Sequence, residues 1–242
     1  MLKIEPVAGR EAAALASLKQ HRIFGAAPDA ELRVFLQRAQ IVKAAERDLL
    51  FRRGDGGRAV VVVLSGFIKL SSLETGGREV VLEICGPGSL FGELAALNGW
   101  SRGADATALS DCEVLSVPGE AFRGALVRSP DAMFAFVGVL SRRLRQATEQ
   151  VRDGASLPGP ARLAKALGQL AAAHGRPVGH GLQIEFALSQ RELGGMTGLS
   201  RETINKQLAA WRDIGWIELS PRHIGLLDVE AMRDLVDEAA LG

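Results

Sequence analysis

The first 130 residues change from helical to extended patterning of their apolar positions at about Ile41. Residues 10–20 and 29–38 have the apolar spacing of two short amphipathic helices. Beyond Ile41, runs rich in β-branched residues are separated by Gly-rich turns and occupy residues 59–72, 78–89 and 105–118. Many short strands without intervening helices are typical of an antiparallel sandwich or barrel, so we predict a β-roll of the jelly-roll kind.

A long helix with a narrow apolar stripe is predicted after Ser129. Pro130 suits the first helical position, where its missing N–H has no helical partner. Apolar residues then alternate at spacings of four and three: Met133, Val137, Leu140, Leu144, Ala147 and Val151. A stripe this narrow packs against one partner helix, which favours a dimer seam over residues 130–153; a helix packed on its own domain usually shows a wider stripe. The sequence GASLPGP at 154–160 predicts a hinge.

Two helices joined by a short turn are predicted between residues 188 and 213. Ser189 and Glu192 have the spacing of a capping box that opens the first helix, Gly198 supplies the turn, and Ser200 caps the second helix. This is a helix-turn-helix, whose second helix can enter the major groove of DNA. The flanking pattern completes a winged helix-turn-helix, with a helix at 161–173, a strand at 181–186 and a wing hairpin formed by 216–219 and 223–227.

Composition excludes several classes of protein. The 242 residues include 29 Lys and Arg against 28 Asp and Glu, and 47% are apolar, which is typical of a folded chain. No apolar run approaches the ~18–20 residues of a membrane span, and the N-terminal residues lack a secretory signal, so we expect a cytoplasmic protein without a membrane partner. Cys85 and Cys112 are too few for a disulfide scaffold, a cysteine zinc site or a cysteine-ligated cluster, and no metal is expected.

Local charge supports contact with DNA. The net charge of the whole chain is +1, but residues 158–227 carry eight basic and five acidic residues, a balance of +3. From Asp228 onward, five acids and one Arg give −4, which suggests a detached acidic tail. A basic module suits a phosphate backbone. No Ser/His/Asp, Cys/His or Walker-type motif is present, so an enzyme is not expected.

Three segments resemble the Crp/Fnr superfamily of bacterial transcription regulators, and the resemblance covers nearly the whole chain. The segments are RRGD…VVVVLSGFIKL (52–70), GPGSLFGELAALNGWSRGADATA (86–108) and LSRETINKQL (199–208). The resemblance implies an effector-binding β-roll at 1–129, a dimerisation helix at 130–153, a hinge at 154–160 and a DNA-binding domain at 161–242. It also implies a homodimer, a palindromic site on double-stranded DNA and RNA polymerase as a partner, with activation and repression both left open.

The second segment resembles the family's phosphate-binding cassette, whose effector is a cyclic nucleotide such as cyclic AMP or cyclic GMP. A cyclic phosphate needs backbone N–H groups from a tight turn and a cation in a partly dry site. The resemblance implies that Arg102 pairs with the phosphate and that Glu93 accepts a hydrogen bond from the ribose 2′-hydroxyl. Gly92 lets the backbone approach closely. The other implied effector positions are Leu94, Ala95, Gly103 and Thr148.

Two departures leave the identity of the effector open. The family's cyclic-AMP receptors have a Ser where this chain has Gly103, and a Thr-Ser pair where it has Ala147 and Thr148. A regulator that acts without a ligand, or one that senses haem or another effector, is therefore the alternative. The four-cysteine oxygen-sensing branch is excluded by the two cysteines. Candidate haem ligands are His21, Cys85, His174, His180 and His223, although Cys85 in VLEICG is expected to be a buried strand residue.

The third segment resembles the family's recognition helix. Arg201 and Glu202 match its base-reading pair; Arg can donate to guanine O6 and N7, and Glu can accept from cytosine N4. Lys206 stands where the family has a second Arg, and a point charge reads bases more loosely than a planar fork. The implied half-sites are TGTGA-like. The remaining implied DNA-contacting residues are Ser189, Gln190, Ser200, Thr203 and Asn205.

Overall fold

The computed structural model describes residues 2–21, 23–25 and 27–241, so residues 1, 22, 26 and 242 of the predicted domains lie outside it. The chain forms two compact units. The first contains the residues up to Ser72 together with Glu83–Leu144, and the second contains Leu73–Leu82 together with the residues from Arg145 onward.

The described residues form helices and strands in the following order along the chain. The helices are α1 (Glu11–Gln20), α2 (Asp29–Gln37), α3 (Glu93–Asn98), α4 (Gly119–Arg128), α5 (Pro130–Ser156), α6 (Gly159–His174), α7 (Gln190–Thr197), α8 (Arg201–Asp213) and α9 (Val229–Leu241). The strands are β1 (Lys3–Pro6), β2 (Gln40–Ala44), β3 (Leu49–Phe51), β4 (Ala59–Ser65), β5 (Ile68–Leu73), β6 (Glu79–Cys85), β7 (Leu90–Phe91), β8 (Asp105–Ala108), β9 (Cys112–Pro118), β10 (Gly175–Val178), β11 (Gly181–Ile184), β12 (Ile217–Leu219) and β13 (Ile224–Leu226). None of the described helices is both long and apolar enough to cross a membrane.

The predicted antiparallel roll is confirmed. One sheet has the strand order β1-β2-β9-β4-β7, and the other has the order β3-β8-β5-β6. A buried apolar cluster draws side chains from both sheets, including Val61, Val114, Ile68 and Ala106. The β-rich run at 59–72 forms two strands, β4 and β5, which belong to different sheets. The chain passes from one to the other at Gly66, whose φ of +76° favours glycine and whose added Cβ would lie 2.3 Å from the Asp111 carbonyl oxygen.

A second apolar cluster joins the five-stranded sheet to helices α1, α2, α4 and α5. Aromatic rings lie at its centre, with the Phe24 and Phe35 centroids 4.9 Å apart and those of Phe122 and Phe136 5.4 Å apart. Phe136 and Ala132 are the fully buried residues of α5. One face of the long helix therefore belongs to the core of the first unit.

The predicted end of α5 was wrong. The helix was expected to stop at residue 153, with a hinge at 154–160, yet it continues to Ser156 and α6 begins at Gly159. The Leu157 N–H still donates to the Asp153 carbonyl at 3.0 Å, so Gly154 does not interrupt the helical ladder. Pro158 ends the helix because the residue before a proline is disfavoured in helical geometry. Only Leu157 and Pro158 separate the two helices.

The winged helix-turn-helix predicted in the C-terminal part is confirmed. Helices α7 and α8 are followed by the wing strands β12 and β13, in a sheet of order β10-β11-β13-β12. The second unit also includes the hairpin residues Leu73–Leu82, where the Glu79 carboxylate lies 3.3 Å from Arg191 Nε.

The predicted detached acidic tail was also wrong. Residues from Val229 onward form α9, which packs on α6 and buries Met232. The Asp228 side chain accepts a hydrogen bond from the Ala231 N–H at 2.8 Å, as a helix cap does. The acidic residues occupy the other face of an amphipathic helix, so counting charges alone concealed its apolar face.

His21 predicts a pH-dependent loss of stability. Its ring is 4% exposed, its Nδ1 accepts from the Ile23 N–H at 3.1 Å, and burial lowers its pKa to about 4 from 6.5. Between these two values the unfolded chain binds a proton that the folded chain does not. The free energy of unfolding should therefore fall by about 2 kcal/mol from this group between pH 7 and pH 5.

Urea unfolding at the two pH values measures this loss. The variant His21→Asn keeps a hydrogen-bond acceptor and does not titrate, so its own fall should be smaller than the wild-type fall by that amount. Equal falls in the two proteins would show that His21 does not cause the effect.

Candidate effector pocket and DNA-contacting surface

Glycines in the left-handed region flank α3, the helix of the cassette, at both ends. Gly92 lies between β7 and α3 with φ of +77°, and Gly99 ends α3 with φ of +69°. A Cβ at Gly92 would lie 2.1 Å from Arg102 Nη1. Gly92 therefore allows both the left-handed turn and the approach of the Arg102 guanidinium.

Arg102 is a buried cation with unused donors. It is 7% exposed, its Nη1 donates to the Gly92 carbonyl at 3.0 Å, and its guanidinium carbon lies 4.1 Å from the centre of the Phe51 ring. Its Nε is buried and has no hydrogen-bond partner among the described residues. Burial lowers the pKa of Arg102, but arginine stays charged at any ordinary pH. An anion bound beside Arg102 would accept a hydrogen bond from this Nε and neutralise the buried charge.

The RRGD segment fixes the backbone of Arg102. The Arg102 N–H donates to the Asp55 carbonyl at 2.8 Å, and the Gly54 N–H donates to the Arg102 carbonyl at 2.9 Å. The Asp55 carboxylate in turn accepts from the Arg52 N–H at 2.8 Å, which closes the turn. The RRGD segment and the cassette, which are far apart in the sequence, thus form one structural element.

Glu93 is paired with an arginine that the sequence analysis missed. Its carboxylate is buried, and it accepts from Arg143 Nη1 at 2.9 Å. Arg143 lies on α5 and also contacts Glu83, with Nε 3.1 Å from one carboxylate oxygen and Nη2 3.3 Å from the other, while Nη2 donates to the Leu90 carbonyl. The RRLR segment resembles a solvated helix face. The signal that could have revealed Arg143 was its place beside the seam position Leu144.

Burial and neighbouring charges act in opposite directions on the pKa of Arg143 and on that of Glu83. Burial opposes the charge of Arg143, yet Glu83 and Glu93 together raise its pKa. Burial raises the pKa of Glu83 against the lowering effect of Arg143.

The other predicted effector positions lie in different surroundings. Ala95 is buried and Leu94 is exposed on α3. Gly103 is exposed, and an added Cβ would meet no atom within 4 Å, so packing does not require glycine there. Thr148 lies further along α5, in the second unit.

The residues considered as haem ligands include two that are buried, Cys85 and His21. Cys85 is fully buried in β6, as expected, and burial raises the pKa of its thiol well above the ordinary value. His21 lies in the helical core. Burial also raises the pKa of the other cysteine, Cys112, to about 11. The described residues contain no group of three or more His, Cys, Asp or Glu that could hold a metal ion.

The helix-turn-helix is capped at both helix starts as predicted. Ser189 Oγ accepts from the Glu192 N–H at 3.2 Å, and the Glu192 carboxylate accepts from the Ser189 N–H at 2.7 Å. Ser200 Oγ accepts from the Thr203 N–H at 3.1 Å, and Gly198 ends α7 in the left-handed region. These caps fix where α8 begins and therefore which residues occupy its first turns.

Helix α8 has a buried apolar face and an exposed polar face. Ile204, Leu208 and Trp211 are buried. The exposed residues are the ones predicted to contact DNA: Arg201, Glu202, Thr203, Asn205 and Lys206.

Gln190 of α7 joins two residues of this exposed face. Its carbonyl oxygen accepts from Arg201 Nε at 2.9 Å, and its amide donates to the Asn205 side chain. The first helix of the motif thus orients side chains on the second.

The fold and these two sites define a class of protein, namely a transcription regulator that carries an effector-binding domain and a DNA-binding domain on one chain. Residues 41–129 match the cyclic nucleotide-binding domain, and residues 161–235 match the Crp-like helix-turn-helix domain. A CRP-like cAMP-activated global transcriptional regulator from Mycobacterium tuberculosis is 33% identical over 183 residues, which cover 76% of this chain and 82% of that protein. The chain belongs to the Crp/Fnr family of transcription regulators, which are not enzymes.

Solved structures share the fold. FixK2 from Bradyrhizobium japonicum superposes with a TM-score of 0.72 at 20% identity, covering 81% of this chain and 96% of that one. The c-di-GMP-responsive global regulator CLP of Xanthomonas campestris superposes with a TM-score of 0.66 at 24% identity, covering 82% and 99%.

Proposed function

We propose that this regulator is a homodimer whose binding to a palindromic DNA site is controlled by a cyclic nucleotide in the β-roll. The observation that carries the effector proposal is Arg102, a buried guanidinium whose Nε has no hydrogen-bond partner among the described residues. A cyclic phosphate would supply the missing acceptor and charge. Glu93, on the same cassette, would accept a hydrogen bond from the ribose 2′-hydroxyl.

The relatives support a cyclic nucleotide and differ in which one. The Mycobacterium tuberculosis relative is named as activated by cAMP, whereas CLP is described as responsive to c-di-GMP. Sequence identity to the first is higher and covers most of the chain, so we propose cyclic AMP or cyclic GMP as the effector.

The exposed stripe of α5 supports the homodimer. Five of the six residues predicted for the seam are exposed, namely Met133, Val137, Leu144, Ala147 and Val151, whereas Leu140 is partly buried against the core. A neighbouring face of α5, which carries Ala132 and Phe136, is already buried. A second apolar face on a helix that is packed on one side is best covered by the same stripe of another copy.

The proposed mechanism is a shift between two dimer conformations. Effector bound at the cassette would bias how the two copies of α5 pack, and this would set the spacing of the recognition helices to ~34–36 Å, one turn of DNA. The dimer would act in the cytoplasm with RNA polymerase as its partner at the promoter.

The dimer proposal predicts that Val151→Glu separates the protomers. Burying a charge in the seam should raise the dimer dissociation constant by about 30-fold or more, which corresponds to ~2 kcal/mol. Val127 is 72% exposed on α4 against 76% for Val151, so Val127→Glu is the matched control. Sedimentation equilibrium measures both variants. A Val151→Glu protein that dimerises as tightly as the control would exclude this seam.

The effector proposal predicts saturable binding of cyclic AMP or cyclic GMP by isothermal titration of the full-length protein. Removing Arg102 takes away the buried partner of the phosphate, so Arg102→Ala should weaken binding by about 100-fold. The matched control is Arg33→Ala on the exposed face of α2. If neither nucleotide binds the wild-type protein, the cyclic-nucleotide proposal is wrong, whereas the DNA-binding proposal stands.

The DNA-binding proposal predicts that Arg201→Ala loses about 1–3 kcal/mol of binding to a TGTGA-type palindrome and relaxes specificity at one base pair. Fluorescence anisotropy with every substitution at each half-site position measures this change. Arg233→Ala, on the exposed face of α9, controls for the loss of one positive charge. Equal weakening on all sequences would instead place Arg201 on a phosphate.

A further inference from the structure

Two arginines at the cassette, Arg102 and Arg143, differ in how fully their hydrogen-bond donors are used. All three nitrogens of Arg143 contact protein oxygens, from the carboxylates of Glu83 and Glu93 and the Leu90 carbonyl. Arg102, by contrast, donates to the Gly92 carbonyl and keeps a buried Nε without a partner among the described residues. Only one of the two guanidiniums is therefore ready to receive an anion.

The charges of this cluster balance in pairs. Arg143 and Arg102 contribute two positive charges, and Glu83 and Glu93 contribute two negative charges. Glu93 is 4% exposed at its side chain and needs a cation beside it. Glu83 is 34% exposed and adds a second carboxylate to a guanidinium that Glu93 already neutralises. The Glu93–Arg143 pair is therefore neutral without Glu83, and the Glu83 carboxylate adds one negative charge beyond it.

We propose that Glu83 restricts this pocket to effectors that carry a single negative charge, because its carboxylate keeps Arg143 from acting as a second anion-binding group. This inference rests on the effector site proposed above. A cyclic mononucleotide has one charged phosphodiester and meets the restriction. A nucleoside monophosphate at pH 7.5 carries nearly two charges, and a cyclic dinucleotide carries two.

The restriction has two physical components. Glu83 occupies the Nε edge and Nη2 of Arg143, which are the positions that would form a forked contact with a phosphate. Its negative charge also repels each charge on the ligand, so the repulsion grows with the number of charges. Glu83 would thereby exclude abundant nucleotides that differ from a cyclic nucleotide only in phosphate charge.

The test compares two ligands of nearly equal size, cyclic AMP and adenosine 5′-monophosphate, at pH 7.5 and constant ionic strength. The variant Glu83→Gln keeps an oxygen that can accept from Arg143 and removes the charge. The dissociation constant of adenosine 5′-monophosphate divided by that of cyclic AMP should be about tenfold smaller in this variant than in the wild type, since the repulsive charge of Glu83 has been removed. Cyclic di-GMP should gain affinity in the same direction.

The matched control is Glu113→Gln. Glu113 pairs with Arg10 at 2.7 Å on β9, so this variant changes the net charge equally and leaves the cassette intact. The Glu113→Gln protein should keep the wild-type ratio of the two dissociation constants. Equal changes in the affinity for both ligands in Glu83→Gln, or no change, would overturn the proposal.

The melting temperature in sulfate tests whether Glu83 keeps Arg143 from binding anions, even if the protein binds no nucleotide. Replacing chloride by sulfate at constant ionic strength should raise the Tm of Glu83→Gln by about 3 °C more than the Tm of Glu113→Gln, because only the first variant removes a carboxylate charge from Arg143 and lets this guanidinium bind the dianion. Wild type and Glu113→Gln should share the smaller rise that sulfate gives through its general salt effect and through Arg102. A Glu83→Gln protein without the gain overturns the role of Glu83. A gain without nucleotide binding would leave this role standing and reject the cyclic nucleotide.

Discussion

The proposed effector site depends on the ion pair between Glu93 and Arg143. A carboxylate that has lost nearly all of its water is stable in its charged form only beside a cation with good hydrogen-bond geometry, and Arg143 Nη1 lies 2.9 Å away. The cation comes from α5, the helix that also carries the exposed seam. One ion pair therefore connects the cassette to the surface proposed for dimerisation. The connection is a specific contact, and a ligand that competes for Glu93 would act directly on it.

Helix α5 serves two packing partners because its two apolar faces point in different directions. Ala132 and Phe136 complete the core of the first unit, whereas the seam residues stay exposed. Arg143 lies beside this seam and reaches the cassette with its guanidinium. A rotation of α5 that improved the seam would also move this arginine, which gives the proposed two-state mechanism a physical basis.

Most of the architecture could be predicted because it follows from local chemistry. The caps at Ser189 and Ser200, the turn at Gly198 and the alternation of strands with Gly-rich turns are short-range signals, and the structure contains them all. The features that were wrong or missed depend on tertiary contacts. The apolar face of α9 was hidden under acidic residues, and α5 continued past Gly154 because its backbone ladder holds as far as Leu157. Arg143 was missed because an arginine in a charged helix resembles a solvated residue, and its place beside the seam position Leu144 was the one sequence feature that pointed to burial.

Three arginines show how the same side chain is adapted to three tasks. Arg143 is saturated by protein oxygens and acts as a structural cation. Arg102 is buried, lies over Phe51 and keeps an unused donor, which favours an incoming anion over water. Arg201 is exposed and, among the described residues, donates to Gln190, a neutral partner that it can exchange for a base edge at little cost. Because burial and saturation differ while the residue type is constant, the environment of each guanidinium, and not the number of basic residues, separates the arginine that holds the fold from the two that are proposed to receive ligands.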